Sequence, residues 1–258
     1  MAECVDLIFD GDIAEIWLNR PKVLNALSRQ LMNELDAALA EVGRSSARAL
    51  LLMGRGERAF CAGADITEFK PVATTVEARV WHYRRDVCMR IQTLPMPTIA
   101  AMHGYTFGGG IALALPCDLR IAAADTLFAL PETALGTFPG MGVTLRLPQI
   151  VGRSEAMRLI FTGERIDAAE ALSIGLVNEV VLTSDLIARA REVAGYIVER
   201  GPLGVRYAKE AIARGERTAL AEGLKVEIDL NMFMDTTEDY VEGAKAFGER
   251  RKPVFRGR

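Results

Sequence analysis

The stretch from His103 to Leu115, HGYTFGGGIALAL, sets three consecutive glycines, Gly108, Gly109 and Gly110, at the opening of an apolar run with the composition of a buried helix. The unpaired N–H groups of a first helical turn, together with the helix dipole, attract negative charge, and glycine lets an electron-rich atom come close to them. A glycine cluster serves tight packing equally well, so these residues alone leave both readings open. A second glycine-containing segment, Phe60-Cys61-Ala62-Gly63-Ala64-Asp65, also follows an apolar run. In parallel sheets the loops at the carboxyl ends of strands gather on one edge, where ligands bind. The amides near Gly63–Ala64 and Gly108–Gly110 are therefore expected to face one point. Two backbone donors aimed at one oxygen make an oxyanion hole, useful where a carbonyl gains negative charge during reaction.

The elements that must carry those loops are legible as alternating patterns. Residues 5–10 and 13–19 read as two strands around the turn Asp10-Gly11-Asp12. Ser28 suits a helix cap, and Leu31, Leu35, Ala38 and Leu39 then recur at helical spacing to about Val42. Continuous apolar runs at 49–53 and 97–102 read as strands buried on both faces, the second leading straight into the glycine run. Residues 75–94 read as a helix ended by Pro95 and Pro97, and 117–123 and 127–130 as two further strands. This alternation predicts a largely parallel sheet with crossover helices. From residue 142 the pattern turns helical, with segments at 142–151, 153–161, 167–174, 184–200, 202–214, 216–231 and 237–248 and one short strand near Val177–Val181. Pro202 fits a first helical turn and Thr237 a cap. The expected organisation is a sheet-containing core over residues 1–200 and a helical region over 201–258 suited to assembly.

Composition narrows the classes. Of the 258 residues half are hydrophobic, enough for one large domain. The formal net charge of −3 and the scattered basic residues, apart from the terminal RRKPVFRGR, make nucleic acid an unlikely partner. The acidic N-terminal stretch does not read as a secretory signal, and no apolar run approaches the roughly 18 residues of a membrane span. Cys4, Cys61, Cys88 and Cys117 are far apart and only two histidines could join them, so no metal site is expected. Reduced thiols in a cytoplasmic protein are the expectation.

In order along the chain, RPKVLNAL (residues 20–27), FCAGADI, PTIAAMHGYTFGGGIALALPCDLRIA, FALPETALGTFPGMGVTLRLPQIVG and TGERIDAAEALSIGLVNEVV, through to the final FRGR, resemble the crotonase (enoyl-CoA hydratase/isomerase) superfamily. The resemblance implies an α/β fold built as a spiral of ββα turns rather than a doubly wound sheet. It implies C-terminal helices that pack subunits into trimers, often paired into hexamers. It also implies an acyl-CoA thioester as substrate, with coenzyme A part of that substrate and no separate cofactor. The thioester oxygen would sit between the N–H groups of Ala64 and Gly109. Around that hole Ala62, Asp65, Ile66, Gly108, Ala112 and Gly140 fall at substrate-binding positions. Arg20 and Lys22 are candidates for the coenzyme A phosphates, with surface solvation as the competing reading. Phe247 and Phe255 are candidates to cover the coenzyme A moiety, with simple packing as the alternative.

Hydratases of the superfamily commonly carry two glutamates, one in the helix after GGG and one before the loop matching LGTFPG. Here the first position is Ala112 and the second is Glu132. Adding water across a conjugated double bond is easiest when one carboxylate activates water and a second group handles the other proton. Shifting a double bond from the 3- to the 2-position needs only one acid–base group, and monofunctional isomerases of the superfamily resemble that pattern. Isomerisation with Glu132 as the acid–base group is therefore expected ahead of a single-glutamate hydratase. A non-catalytic acyl-CoA- or RNA-binding scaffold is the alternative from another class. Position 140, where dienoyl-CoA isomerases carry an aspartate, is glycine. For Glu132 the plain structural reading is a capping acid in PETALG. His82 and His103 are expected to hydrogen-bond locally, Cys61 to be inert, and Asp118 and Asp125 to be structural.

Overall fold

A computed structural model describes residues 3–68, 74–77, 86–216 and 218–258. The strands are β1 (Val5–Asp10), β2 (Ile13–Leu18), β3 (Ala49–Gly54), β4 (Thr98–Met102), β5 (Tyr105–Phe107), β6 (Leu119–Ala123), β7 (Leu127–Ala129), β8 (Ile166–Asp167) and β9 (Glu179–Val181). The helices are α1 (Arg29–Val42), α2 (Val87–Thr93), α3 (Gly109–Ala114), α4 (Val143–Val151), α5 (Arg153–Thr162), α6 (Ala168–Ser173), α7 (Leu186–Val198), α8 (Pro202–Gly215), α9 (Leu220–Met234) and α10 (Glu238–Glu249). Residues 78–85 of the helix expected over 75–94, His82 among them, lie outside the described residues, while α2 forms its C-terminal part.

Two sheets share the chain. The larger has six strands in the order β1-β2-β3-β4-β6-β9, and the smaller runs β5-β7-β8. Within the larger sheet only β1 and β2 are antiparallel, joined at Asp10↔Ile13, as their tight turn requires. β4 is followed by β5 and β6 by β7, so successive passes lay one strand in each sheet before the next helix. This is the spiral of ββα turns that the motifs implied, in place of a single doubly wound sheet.

The larger sheet is covered on both faces. All six residues of β3 are buried, which is why Ala-Leu-Leu-Leu-Met-Gly lacks alternation. On one face Leu31, Leu35, Leu39 and Val42 of α1 enter the main core, and the Ser28 hydroxyl accepts the Leu31 amide at 3.2 Å to start that helix. On the other face Leu186, Ala190 and Ala194 of α7 pack on Leu51, Ile99 and Ile121. A buried carboxylate ties this layer down. Glu15 receives Trp17 Nε1 at 3.0 Å and two Arg191 nitrogens at 2.6 and 3.0 Å. Burial alone would push its pKa up, but the hydrogen bonds from Arg191 and Trp17 outweigh that and hold it below the ordinary value.

The helical region attaches through a few polar contacts. Lys209 of α8 donates to the Met96 carbonyl at 2.9 Å and to Asp118 at 2.7 Å, and the same Asp118 oxygen accepts the Thr98 amide and hydroxyl. The final residues fold back on α10, where buried Asp239 accepts the amides of Arg256 and Gly257 at 2.7 and 2.8 Å. Among the described residues no helix is long and apolar enough to cross a membrane, and no cluster of side chains suits a metal ion.

Candidate active site

Segment 59–65 leaves β3 and runs beside β5, with Ala59 opposite Gly104 and Cys61 opposite Thr106. The Phe107 amide donates to the Cys61 carbonyl at 3.0 Å, so this segment is fixed against the strand that leads into the glycine run. Closeness is enforced at Gly110, where a Cβ would collide with the Cys61 carbonyl. A Cβ built on Gly109 would stand 3.5 Å from the Ala64 amide nitrogen, so the two loops abut at the residues expected to form the hole. Among the described residues neither the Ala64 nor the Gly109 amide has a hydrogen-bond acceptor. Both are therefore left to serve an oxygen from outside the chain.

The glycine run is held on its other side by the Gly108 amide, which donates to the Ala129 carbonyl at the end of β7 at 2.9 Å. Two residues on, the short 3-10 turn Pro131–Leu135 begins, and it carries Glu132. Gly108 has φ 48°, and a Cβ there would lie 2.7 Å from Glu132 Oε1. Any side chain at 108 would displace the carboxylate, which is the physical reason for glycine at the helix cap. Glu132 stands in the first turn of this segment, and its Oε2 is buried without a partner among the described residues. Its place in the first turn fits the capping reading, and beside it the glycine cap leaves a partly desolvated carboxyl with one oxygen unpartnered. Burial raises its pKa, against a smaller lowering by its own backbone.

Ala112 lies buried in α3, where its carbonyl accepts the Cys88 thiol of α2 at 3.3 Å. Nothing at this position titrates. Asp65 is engaged at once by Thr67 and Arg20, whose hydrogen bonds hold its carboxyl below the ordinary range. The Arg20 guanidinium, proposed for phosphate, reaches Asp65 at 2.9 Å and the Ala26 carbonyl at 2.6 Å. Lys22, Ile66 and Gly140 stand exposed, while Ala62 and Gly108 line the two abutting loops. Phe247 is 89% exposed on α10, and Phe255 packs against Gly201 and Gly243; the chain does not bring either ring to the hole. His103 is buried and shares a 2.9 Å hydrogen bond with the Gly56 carbonyl, and burial lowers its pKa. The Cys61 thiol is pushed up to about 12 by burial, which removes it as a nucleophile. Sequence reasoning passed over Asn25, whose side chain reaches into the same segment; a polar residue inside the apolar stretch VLNAL was its only signal.

Two free amides next to a lone desolvated carboxyl make a site for moving a proton beside a carbonyl that takes on negative charge. The comparisons with known proteins agree with that class. Residues 9–258 match the enoyl-CoA hydratase/isomerase family. The chain is similar to a short-chain-enoyl-CoA hydratase of Clostridium acetobutylicum, 41% identical over 94% of each protein, and to a crotonyl-CoA hydratase of Syntrophomonas wolfei, 39% identical over 94% of each. A crystal structure of an enoyl-CoA hydratase from Bacillus anthracis superposes with a TM-score of 0.94 at 38% identity, covering 99% of this chain and all of that one. The chain belongs to the enoyl-CoA hydratase/isomerase family and is an enzyme of the crotonase superfamily.

Proposed function

We propose that this enzyme shifts the double bond of an enoyl-CoA thioester from the 3- to the 2-position, with Glu132 as the only acid–base group. The observation that carries the reading is the buried, unpartnered Glu132 Oε2 beside the glycine cap, with apolar Ala112 at the other family position. The Glu132 carboxylate removes a proton from the carbon next to the thioester carbonyl. The electron pair moves onto the thioester oxygen, which accepts hydrogen bonds from the Ala64 and Gly109 amides. The resulting Glu132 carboxylic acid then delivers the proton two carbons along, leaving the 2-enoyl thioester and the starting carboxylate. Nothing is oxidised and no atom is gained, so the reading needs no cofactor beyond the coenzyme A of the substrate.

A single-glutamate hydratase is the second reading, favoured by the hydratase names of the similar proteins. Product analysis separates the two. With 3-hexenoyl-CoA the wild type is expected to form the 2-enoyl isomer faster than it hydrates crotonyl-CoA. Glu132→Gln is expected to lose the isomerisation by about 10²–10⁴-fold, the usual worth of a general acid–base group. Rapid hydration with no isomerisation would reverse the order.

The same reading includes self-association into a trimer or a pair of trimers in the cytoplasm. It is supported by the exposed apolar line Leu220, Leu224, Ile228 and Met232 along α9 and by four free, buried cysteines. Phe247 and the Lys22 ammonium would then meet coenzyme A only in the assembled enzyme or with substrate bound.

A further inference from the structure

We propose that Asn25 is the positioning residue of the oxyanion hole, holding segment 59–64 so that the Ala64 amide stays aimed beside Gly109. The proposal rests on the paired-amide reading above. Residues Arg20–Leu27 form a buckle against the hole segment. Leu24 and Asn25 both have φ 55°, a left-handed stretch that a leucine adopts only when its surroundings over-determine it.

The Asn25 side chain supplies that determination. It is fully buried, its Oδ1 accepts the Arg20 amide at 2.9 Å, and its Nδ2 donates to the Arg55 carbonyl at 3.0 Å and the Ala59 carbonyl at 2.8 Å. Both donors and one acceptor of a single amide are thus used, and the two carbonyls lie on the path from β3 to the hole. Beyond them the main chain of the buckle is stitched to the hole segment. The Ala62 amide donates to the Leu24 carbonyl at 2.9 Å, the Leu27 amide to Gly63 at 2.8 Å, and the Asp65 amide to Leu27 at 3.1 Å. Ala64 is therefore gripped on each side through its neighbours, while its own N–H is left free. Arg20, bonded to Asp65 and to the Ala26 carbonyl, closes the far end of the buckle.

Such a grip matters because a displacement of about 1 Å at a reacting group is enough to cost on the order of 10²-fold in rate. The test uses [1-13C]butanoyl-CoA, a saturated thioester that binds without being consumed. Two quantities are read: the infrared carbonyl band of the bound thioester, and exchange of its α-protons with D2O. In the wild type the band is expected at lower frequency than in solution. Asn25→Gly keeps the left-handed backbone and removes the side chain with its amide. Folded Asn25→Gly is expected to lose roughly half or more of the band shift and about 10²-fold in exchange, with Kd for butanoyl-CoA within about threefold of wild type. Asn25→Asp, which sets a carboxylate against two carbonyls, is expected to behave likewise. Full band shift and full exchange in folded Asn25→Gly would overturn the proposal. Absence of any shift in the wild type would instead sink the paired-amide reading itself. If Asn25→Gly does not fold, Arg20→Met decides: about a tenfold loss of exchange with a smaller band shift supports the buckle, and wild-type values for both overturn it.

Discussion

At the Glu132 carboxyl, folding creates a cost that the proposed catalysis uses. Burial without a partner for Oε2 raises its pKa, so the neutral form is favoured in the folded protein relative to the unfolded chain. The sign for stability follows. Below the unfolded pKa both states hold the proton and nothing is lost; as pH rises through the raised folded pKa, ionisation in the dry site destabilises the fold. Glu132→Gln is therefore expected to have a higher Tm than wild type at neutral pH, with the gap closing toward pH values near 4, where a free glutamate titrates at about 4.3. The base must be ionised to take the α-proton, so the acid limb of kcat/KM is expected above that ordinary glutamate range. A Tm gap that widens on acidification, or an acid limb at or below the ordinary value, would contradict this account. Glu132, Ala64 and Gly109 were singled out by resemblance to the family's motifs, in which each sits next to glycines or prolines that mark its loop. The ion pair of Arg20 was not: next to Lys22 it stands as a candidate phosphate contact, and Asp65, to which it donates, lies 45 residues away. Asn25 was hidden for the same reason, since its acceptors Arg55 and Ala59 belong to a distant segment.

Among the elements, those with a continuous or periodic apolar signal emerged from the sequence within a residue or two. β3 and β4 were marked by uninterrupted apolar runs, and α1 by Ser28 and its leucine spacing. β7 and β9 were marked by the short apolar runs at 127–130 and 177–181, but β5 and β8 were not. β5 occupies only Tyr105–Phe107, between Gly104 at φ 54° and the glycine run, where the sequence suggested that β4 entered the glycines directly. β8 is just Ile166–Asp167, and its pairing with β7 is antiparallel at the edge of the small sheet. β5 beside Cys61 and the end of β7 at Gly108 bring the two glycine loops and the Glu132 turn together. Three-residue strands have no period to detect; their register is set by tertiary pairing and by glycines that permit it. α9 begins at Leu220 rather than 216, with Gly215 and Thr218 forming the turn before it.

For the whole molecule, a sheet with a core on each face supports a site at its edge and a helical region that leaves apolar surface uncovered. Leu220, Leu224, Ile228 and Met232 repeat every four residues on α9, and all are exposed in the single chain. Sedimentation is expected to give a trimer or hexamer, and Ile228→Asp to shift it toward monomer; a wild-type monomer at micromolar concentration would contradict the assembly reading. The function does not rest on that assembly alone, because the hole and Glu132 come from one chain. The most direct measurement is α-proton exchange of butanoyl-CoA in D2O, which needs the carboxylate and the two amides and nothing else. Wild type is expected to wash deuterium into the α-position, and Glu132→Gln to do so slower by about 10²–10⁴-fold. Equal exchange by the two folded proteins would contradict the central claim.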